Sequence, residues 1–186
     1  MSEPNDPPDE PMIGASRPAL GCDDLEARIR ELVTGQPYAV LCTQGSGQPY
    51  GSLIATGFTP DLRHVLFATP ITTRKFRLLE SSGGVAILVD DRPKWPEDLM
   101  RIQAVTVTGR AVRVDKGDDY ERWADVLVGR HPHLESFVHA DSCALMRVDA
   151  LRYFHVQRFQ EVREWAPAEE YRAAAIIQPF APDKDP

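Results

Sequence analysis

Between His64 and Asp91 the chain reads HVLFATPITTRKFRLLESSGGVAILVDD, and the order of signals in this stretch decides the fold. A β-prone run, HVLFAT, ends at Thr69 and Pro70. After a helical pattern, GVAILVD returns to strand and is apolar throughout, as a strand covered on both faces would be. The intervening helix is predicted from Thr72 to Ser82, with Gly83 and Gly84 as its stop. Its first turn is unusual. Thr72 and Thr73 suit an N-cap, but Arg74 and Lys75 then place two cations where the macrodipole is already positive, unfavourable by roughly 0.3 to 1 kcal/mol each. A bound anion reverses that sign, because backbone N–H groups, threonine hydroxyls, a guanidinium fork and an ammonium converge on it. The stretch reads either as a phosphate site or as a pair of solvated surface cations.

On the N-terminal side, YAVLCTQGSGQPYGSLIATGF sets two β-prone runs around Gly45, Ser46 and Gly47, the chemistry of a hairpin loop. Before it, Leu25, Ile29, Leu32 and Val33 mark an amphipathic helix from Asp23 to Val33, with Asp23 and Glu26 spaced as a capping-box-like pair. On the C-terminal side, IQAVTVTGRAVRV alternates over a long span, with Gly109 placed for a bulge or bend. Tyr120, Trp123, Ala124, Leu127 and Val128 mark a helix ending at Gly129. Strand patterns then return in CALMRV, LRYFHV and QEVREW. Seven or eight strands with few helices, none alternating regularly with them, define a mostly antiparallel barrel or sandwich.

The chain has 186 residues, 42% hydrophobic and 26% charged, enough for one domain with a sizeable core. The net charge of -7 is concentrated at the ends: residues 1–20 carry four acids and one base, and residues 166–186 carry four acids and two bases. Both ends are rich in Pro and acids, the composition of loosely packed tails, so the predicted domain runs from 21 to 166 between tails at 1–20 and 167–186. The nearly balanced middle shows no basic stripe with interleaved aromatics, which argues against nucleic acid as a partner. No apolar run approaches the roughly 20 residues that span a bilayer, and the N-terminus lacks the order of a signal peptide, so a cytoplasmic, membrane-free protein is expected. Cys22, Cys42 and Cys143 form no CxxC pair; they are expected to be reduced, with Cys42 and Cys143 buried as packing residues.

The ordered set GQPYGSLIATGF, HVLFATPITTRKFRLLESSGGVAILVDD and QAVTVTGRAVRV resembles the FMN-binding split-barrel superfamily, which includes pyridoxamine 5'-phosphate oxidase and small flavin reductase-like proteins. The likeness covers Tyr38 to Val114, with a weaker echo in VQRFQEVREWAP. It implies a mostly β fold with flanking helices, an α+β arrangement built on a six-stranded antiparallel split β-barrel. It also implies a homodimer with one FMN at each end of the shared interface. Thr69, Thr73, Arg74 and Lys75 stand where the family holds the flavin phosphate, with Thr72 beside them, and Thr69 is placed near the ribityl chain. Ser52, Leu53 and Ile54 either present backbone groups to the ring edge or, for Leu53 and Ile54, belong to the core. Gln103 resembles the family glutamine that reaches the cofactor from the second subunit. Trp165 either covers the site or closes the barrel.

The likeness departs from the oxidase at one point that bears on substrate. The oxidase carries an Arg and a Lys around the strand equivalent to Ser52–Gly57, whereas this chain has no positive charge between Leu41 and Pro60. Vitamin B6 phosphate would lack those partners. The reading is an FMN-dependent oxidoreductase with a small-molecule electron donor or acceptor and no side chain assigned as catalytic acid or base. The alternatives are a non-catalytic flavin-binding or sensing protein, or a haem- or deazaflavin-binding relative in which His155 or His139 serves as an axial ligand. His131 and His133 in RHPH are a weak metal pattern, and Asp90 with Asp91 reads as a turn and solvated loop. There is no GxSxG, Walker-type loop or GxGxxG.

Overall fold

The computed structural model describes residues 22–158 and 161–167. The acidic tails fall almost wholly outside this range. Helix α1 (Cys22–Gly35) turns Leu25, Ile29, Leu32 and Val33 to one buried side, as their helical spacing predicts. The side chain of Asp23 lies outside the described residues, and so does its proposed cap with Glu26. Strands β1 (Tyr38–Gly45) and β2 (Gln48–Ala55) form a hairpin in which Gly45 opposes Gln48. Its two loop residues, Ser46 and Gly47, have φ of 50° and 72°, the left-handed pair whose twist matches that of the flanking strands.

One residue beyond β2 the chain changes sides. After Thr56, β3 (Gly57–Phe58) pairs with β4 (His64–Pro70) and not with β1. With β5 (Gly84–Asp90), β6 (Ala104–Arg113) and β7 (Cys143–Gln157), the antiparallel order is β2-β1-β5-β6-β7-β4-β3, and β8 (Glu161–Trp165) adds to β7. The two edges of this sheet are thus one residue apart in the chain, so the sheet has to roll up on itself. It closes beside Thr56 and stays split where β2 and β4 diverge. Helix α3 (Tyr120–Val128) backs the joint, and a Cβ on Gly57 would lie 2.4 Å from the Val126 carbonyl oxygen. The expected six strands correspond to six strand paths, with β2 and β3 sharing one, and β8 is the addition.

CALMRV and LRYFHV, read as two strands, are one strand of 15 residues. Its first part pairs with β4, from Cys143 opposite Pro70 to Asp149 opposite His64. Its second part pairs with β8. Against β6 the register shifts between Thr108, opposite Arg152, and Gly109, opposite Ala150, which leaves Leu151 as the extra residue of a bulge. Asp149 and Ala150 bend the strand without ending it. Gly109 makes the bend possible, because a Cβ there would approach the Asp149 carbonyl oxygen to 2.5 Å.

Inside the barrel, Leu41, Ile87, Val107, Phe67 and Tyr153 are each fully buried, and α1 packs with them over one barrel end. Outside it, α3 and the short α4 (Glu135–His139) cover Leu66 and Leu145 with Tyr120, Ala124, Leu127 and Val138. The Tyr120 hydroxyl donates to the Val138 carbonyl at 2.6 Å. Two expectations are corrected. Cys143 is buried, but Cys42 is exposed on the outer face of β1, because the inward phase of that strand belongs to Ala39, Leu41 and Thr43. Strand β5 is covered on one face only within the chain: Val85, Ile87 and Val89 are buried, while Ala86 and Leu88 are part-exposed. Among the described residues no helix is long and apolar enough to cross a membrane.

The bulge supplies a test of this architecture. Gly109→Ala is expected to destabilise the fold by about 1 to 3 kcal/mol, because backbone has to move to admit the methyl group. Urea denaturation measures it, and an unchanged midpoint would contradict the close approach.

Candidate cofactor site

The split lies between β2 and the β4–α2 junction. Helix α2 (Arg74–Ser81) starts two residues later than Thr72, and Thr73 is its N-cap with φ -76° and ψ 154°. The Thr73 hydroxyl accepts from the Phe76 N–H at 3.3 Å and donates to the Pro70 carbonyl at 2.9 Å. Its single proton is thereby committed, so the fully buried Thr69 hydroxyl, 3.0 Å away, is the donor between the two threonines. Thr69 and Thr73 therefore build the helix start. Thr72 is exposed outside the helix, and its carbonyl accepts from Arg77 Nη1 at 3.4 Å.

Phe76 and Leu79 anchor the inner face of α2, and Leu78 lies over Gly45, where a Cβ would come within 2.4 Å of its Cδ2. This seating projects the first turn into the split. That turn contains no acid. Arg74 is exposed and Lys75 half-buried, and among the described residues neither has a carboxylate within ion-pair distance. Burial pushes the Lys75 ammonium below its ordinary value. The Arg74 guanidinium carbon sits 5.1 Å from the centroid of the Tyr50 ring, across the split on β2. A third cation, Arg113 at the end of β6, lies 5.8 Å from the Phe76 ring.

β2 forms the facing wall. It pairs with β1 along its whole length, from Gln48 to Ala55, and the backbone groups of its other edge point toward the split. The Ser52 hydroxyl oxygen is buried there without a hydrogen-bond partner among the described residues. Leu53 is 68% exposed on the outer face, and Ile54 is buried in the core. A helix N-terminus with two uncompensated cations, an unpartnered buried hydroxyl and an open strand edge fits a ligand with an anionic tail and a polar-edged body.

Two expected residues lie elsewhere in the chain. The β4–α2 junction pairs at the Cys143 end of β7, whereas β6 begins opposite Val156 at its far end, and Gln103 immediately precedes β6. Gln103 is part-buried, and its Oε1 is 3.0 Å from His155 Nε2. Trp165 is 4% exposed inside the barrel, with its ring 5.3 Å from Tyr153, which places it with the barrel core. Asp91, expected in a solvated loop, is buried and accepts from the Gln103 N–H at 2.7 Å and from Trp95 Nε1 at 3.3 Å. Asp90 instead pairs with Arg92 at 2.6 Å.

The histidines are structural in their contacts. His131 is buried with Nε2 at 3.1 Å from the Thr56 carbonyl, at the joint between β2 and β3. His155 is 1% exposed, which leaves no face for a haem. Both ring nitrogens of His139 are engaged, by the Glu135 carbonyl at 2.8 Å and Glu121 at 3.0 Å. Burial holds both His131 and His155 below the ordinary histidine value; Arg130 and His133 add to this for His131, and Arg28 and Arg163 for His155. The unfolded chain therefore binds more protons at these positions than the folded one, and they remove stability as pH falls below about 6.5. The fall in melting temperature between pH 7 and 5 is expected to be shallower in His155→Gln than in the wild type. Equal slopes would show that His155 is not held neutral by the fold.

The closed joint, the open split and the cationic helix beside it define a split-barrel protein. The sequence model of the pyridoxamine 5'-phosphate oxidase family matches residues 25–166, and the chain belongs to that family. No curated protein sequence matches the chain. Among solved structures it is similar to a haem-binding protein from Mycobacterium smegmatis, with a TM-score of 0.69 and 16% identity over 86% of this chain and 62% of that one. The chain thus spans less than two thirds of that protein's length. It is also similar to a general stress protein 26-related member of the pyridoxinephosphate oxidase family from Clostridium acetobutylicum, with a TM-score of 0.62 and 14% identity over 80% and 98%. A FAD-binding protein from Mesorhizobium loti aligns with a TM-score of 0.56 and 13% identity over 69% and 91%. At these identities the likenesses show the fold.

Proposed function

We propose that the protein binds FMN with its phosphate at the N-terminus of α2, and that it acts as an FMN-dependent oxidoreductase on a substrate other than vitamin B6 phosphate. The observation that carries this reading is the pair Arg74 and Lys75, one of them half-buried, in a helix first turn without an acid. Desolvating a lysine without a counter-charge is unfavourable, and a dianionic phosphate supplies the missing partner. FMN when bound supplies hydride or electron transfer at its ring. The chain's part is to neutralise the phosphate with Arg74 and Lys75, to offer the Ser52 hydroxyl, and to present the β2 edge to the polar edge of the ring. The absence of any cation on β2 leaves a phosphorylated substrate without a counter-charge on that wall. The haem-binding relative suggests a second ligand class, but His155 is buried with Nε2 on Gln103, and both ring nitrogens of His139 are engaged within the chain.

The reading includes a homodimer through the outer face of β2, β1 and β5. Val40 stands in register between Leu53 and Leu88, and Tyr38 beside them is 52% exposed. With Pro37 and Pro93 these residues line a shallow depression of about 340 Å³. An apolar sheet face of this kind is covered when a second copy packs on it. Leu53→Glu is expected to shift the protein toward monomer in sedimentation at micromolar concentration, and an already monomeric wild type would contradict the dimer.

The cofactor reading is tested by Arg74→Ala with Lys75→Ala. FMN affinity measured by flavin fluorescence is expected to fall by about 1.5 to 3 kcal/mol for each charge removed. Unchanged affinity in the double variant would overturn the assignment of the phosphate to α2.

A further inference from the structure

We infer that Tyr50 is a positioning residue of the α2 anion site, holding the Arg74 guanidinium over the mouth of the split; this rests on the reading that α2 receives the FMN phosphate. Arg74 is exposed and has no carboxylate partner among the described residues, so a long side chain with much rotamer freedom stands at the first position of the helix. Its guanidinium nevertheless lies 5.1 Å from the centroid of the Tyr50 ring, where the negative face of the ring attracts it. Tyr50 comes from the opposite wall. Its place is set by the β1–β2 ladder, where it opposes Thr43, and by the buried Thr43 hydroxyl, which donates to the Tyr50 carbonyl at 3.2 Å.

The ring thus spans the split and pre-orders the cation before any ligand arrives. Pre-ordering reduces the entropy lost when the phosphate binds, so it acts on affinity through Arg74 and not by touching the ligand. The aromatic face is the working part, since the Tyr50 hydroxyl makes no hydrogen bond among the described residues. Arg147, by contrast, lies 5.0 Å from the Trp123 ring and is also bonded to Asp149 at 2.7 Å. For Arg74 the ring contact is the restraint that remains.

The experiment compares FMN with riboflavin, which lacks the phosphate, in the full chain. Affinities are measured by flavin fluorescence for the wild type, Tyr50→Ala, Tyr50→Phe, Arg74→Ala and the Tyr50→Ala/Arg74→Ala pair. Tyr50→Ala is expected to weaken FMN roughly two- to fivefold and to leave riboflavin unchanged, because the effect passes through the charge. Tyr50→Phe is expected to match the wild type, and Tyr50→Ala to add nothing once Arg74 is gone. Unchanged FMN affinity in Tyr50→Ala, an equal loss for both flavins, or the same loss without Arg74 would each overturn the role of Tyr50. A wild type that binds FMN no more tightly than riboflavin would remove the phosphate site itself, and the role of Tyr50 with it.

Discussion

The single residue Thr56 joins the two edges of the sheet, and much of the structure follows from that constraint. β2 pairs with β1 and β3 with β4, so the sheet cannot lie open; it curls until its edges meet at the joint. The joint is braced where it has to be. The Thr56 carbonyl meets His131, and Gly57 lets the α3 backbone approach closely enough that a methyl group would collide with it. Away from the joint, β2 and β4 have no ladder to hold them together. The split is therefore a direct product of closing the sheet at one end only.

What fills the split is decided by a short relay of hydroxyls and charges. The buried Thr69 hydroxyl at the end of β4 donates to Thr73, which donates to Pro70 and caps α2, so strand and helix are locked at a fixed angle. That lock sets Arg74 against Tyr50 of β2, with Lys75 next to it in the first turn. Acids favour the first turn of a helix, and here two cations oppose the macrodipole with no carboxylate among the described residues to relieve them. Such an arrangement is unfavourable in isolation and favourable around an anion. The electrostatic anomaly of the first turn and the unpartnered Ser52 hydroxyl across the split both call for the same kind of ligand.

The parts of this arrangement that depend on neighbours in sequence were legible in the sequence itself. A threonine cap at Thr72 or Thr73, a hairpin loop within Gly45–Gly47 and the bend at Gly109 each announce themselves through residue types whose backbone preferences are local. The parts that depend on register were not. YAVLCTQG is apolar in both phases, so Cys42 reads as buried until the ladder assigns the inward phase to Leu41 and Thr43. Gln103, just before the inward run of Val105 and Val107, meets His155 within its own chain, a contact between positions 52 residues apart that no local pattern announces. Asp149 and Ala150 interrupt the strand pattern between CALMRV and LRYFHV, yet the extra residue Leu151 lets β7 continue past them. Tyr50 gives no local signal at all, since its partner Arg74 is brought to it only by the closure of the barrel.

A crystal structure of the protein grown with FMN tests the central claim most directly. The account predicts flavin density in the split, with the phosphate within hydrogen-bond distance of Arg74 and Lys75 and the ring edge along β2. Flavin bound elsewhere on the barrel, or an α2 first turn left without an anion while the flavin is held by other residues, would contradict it.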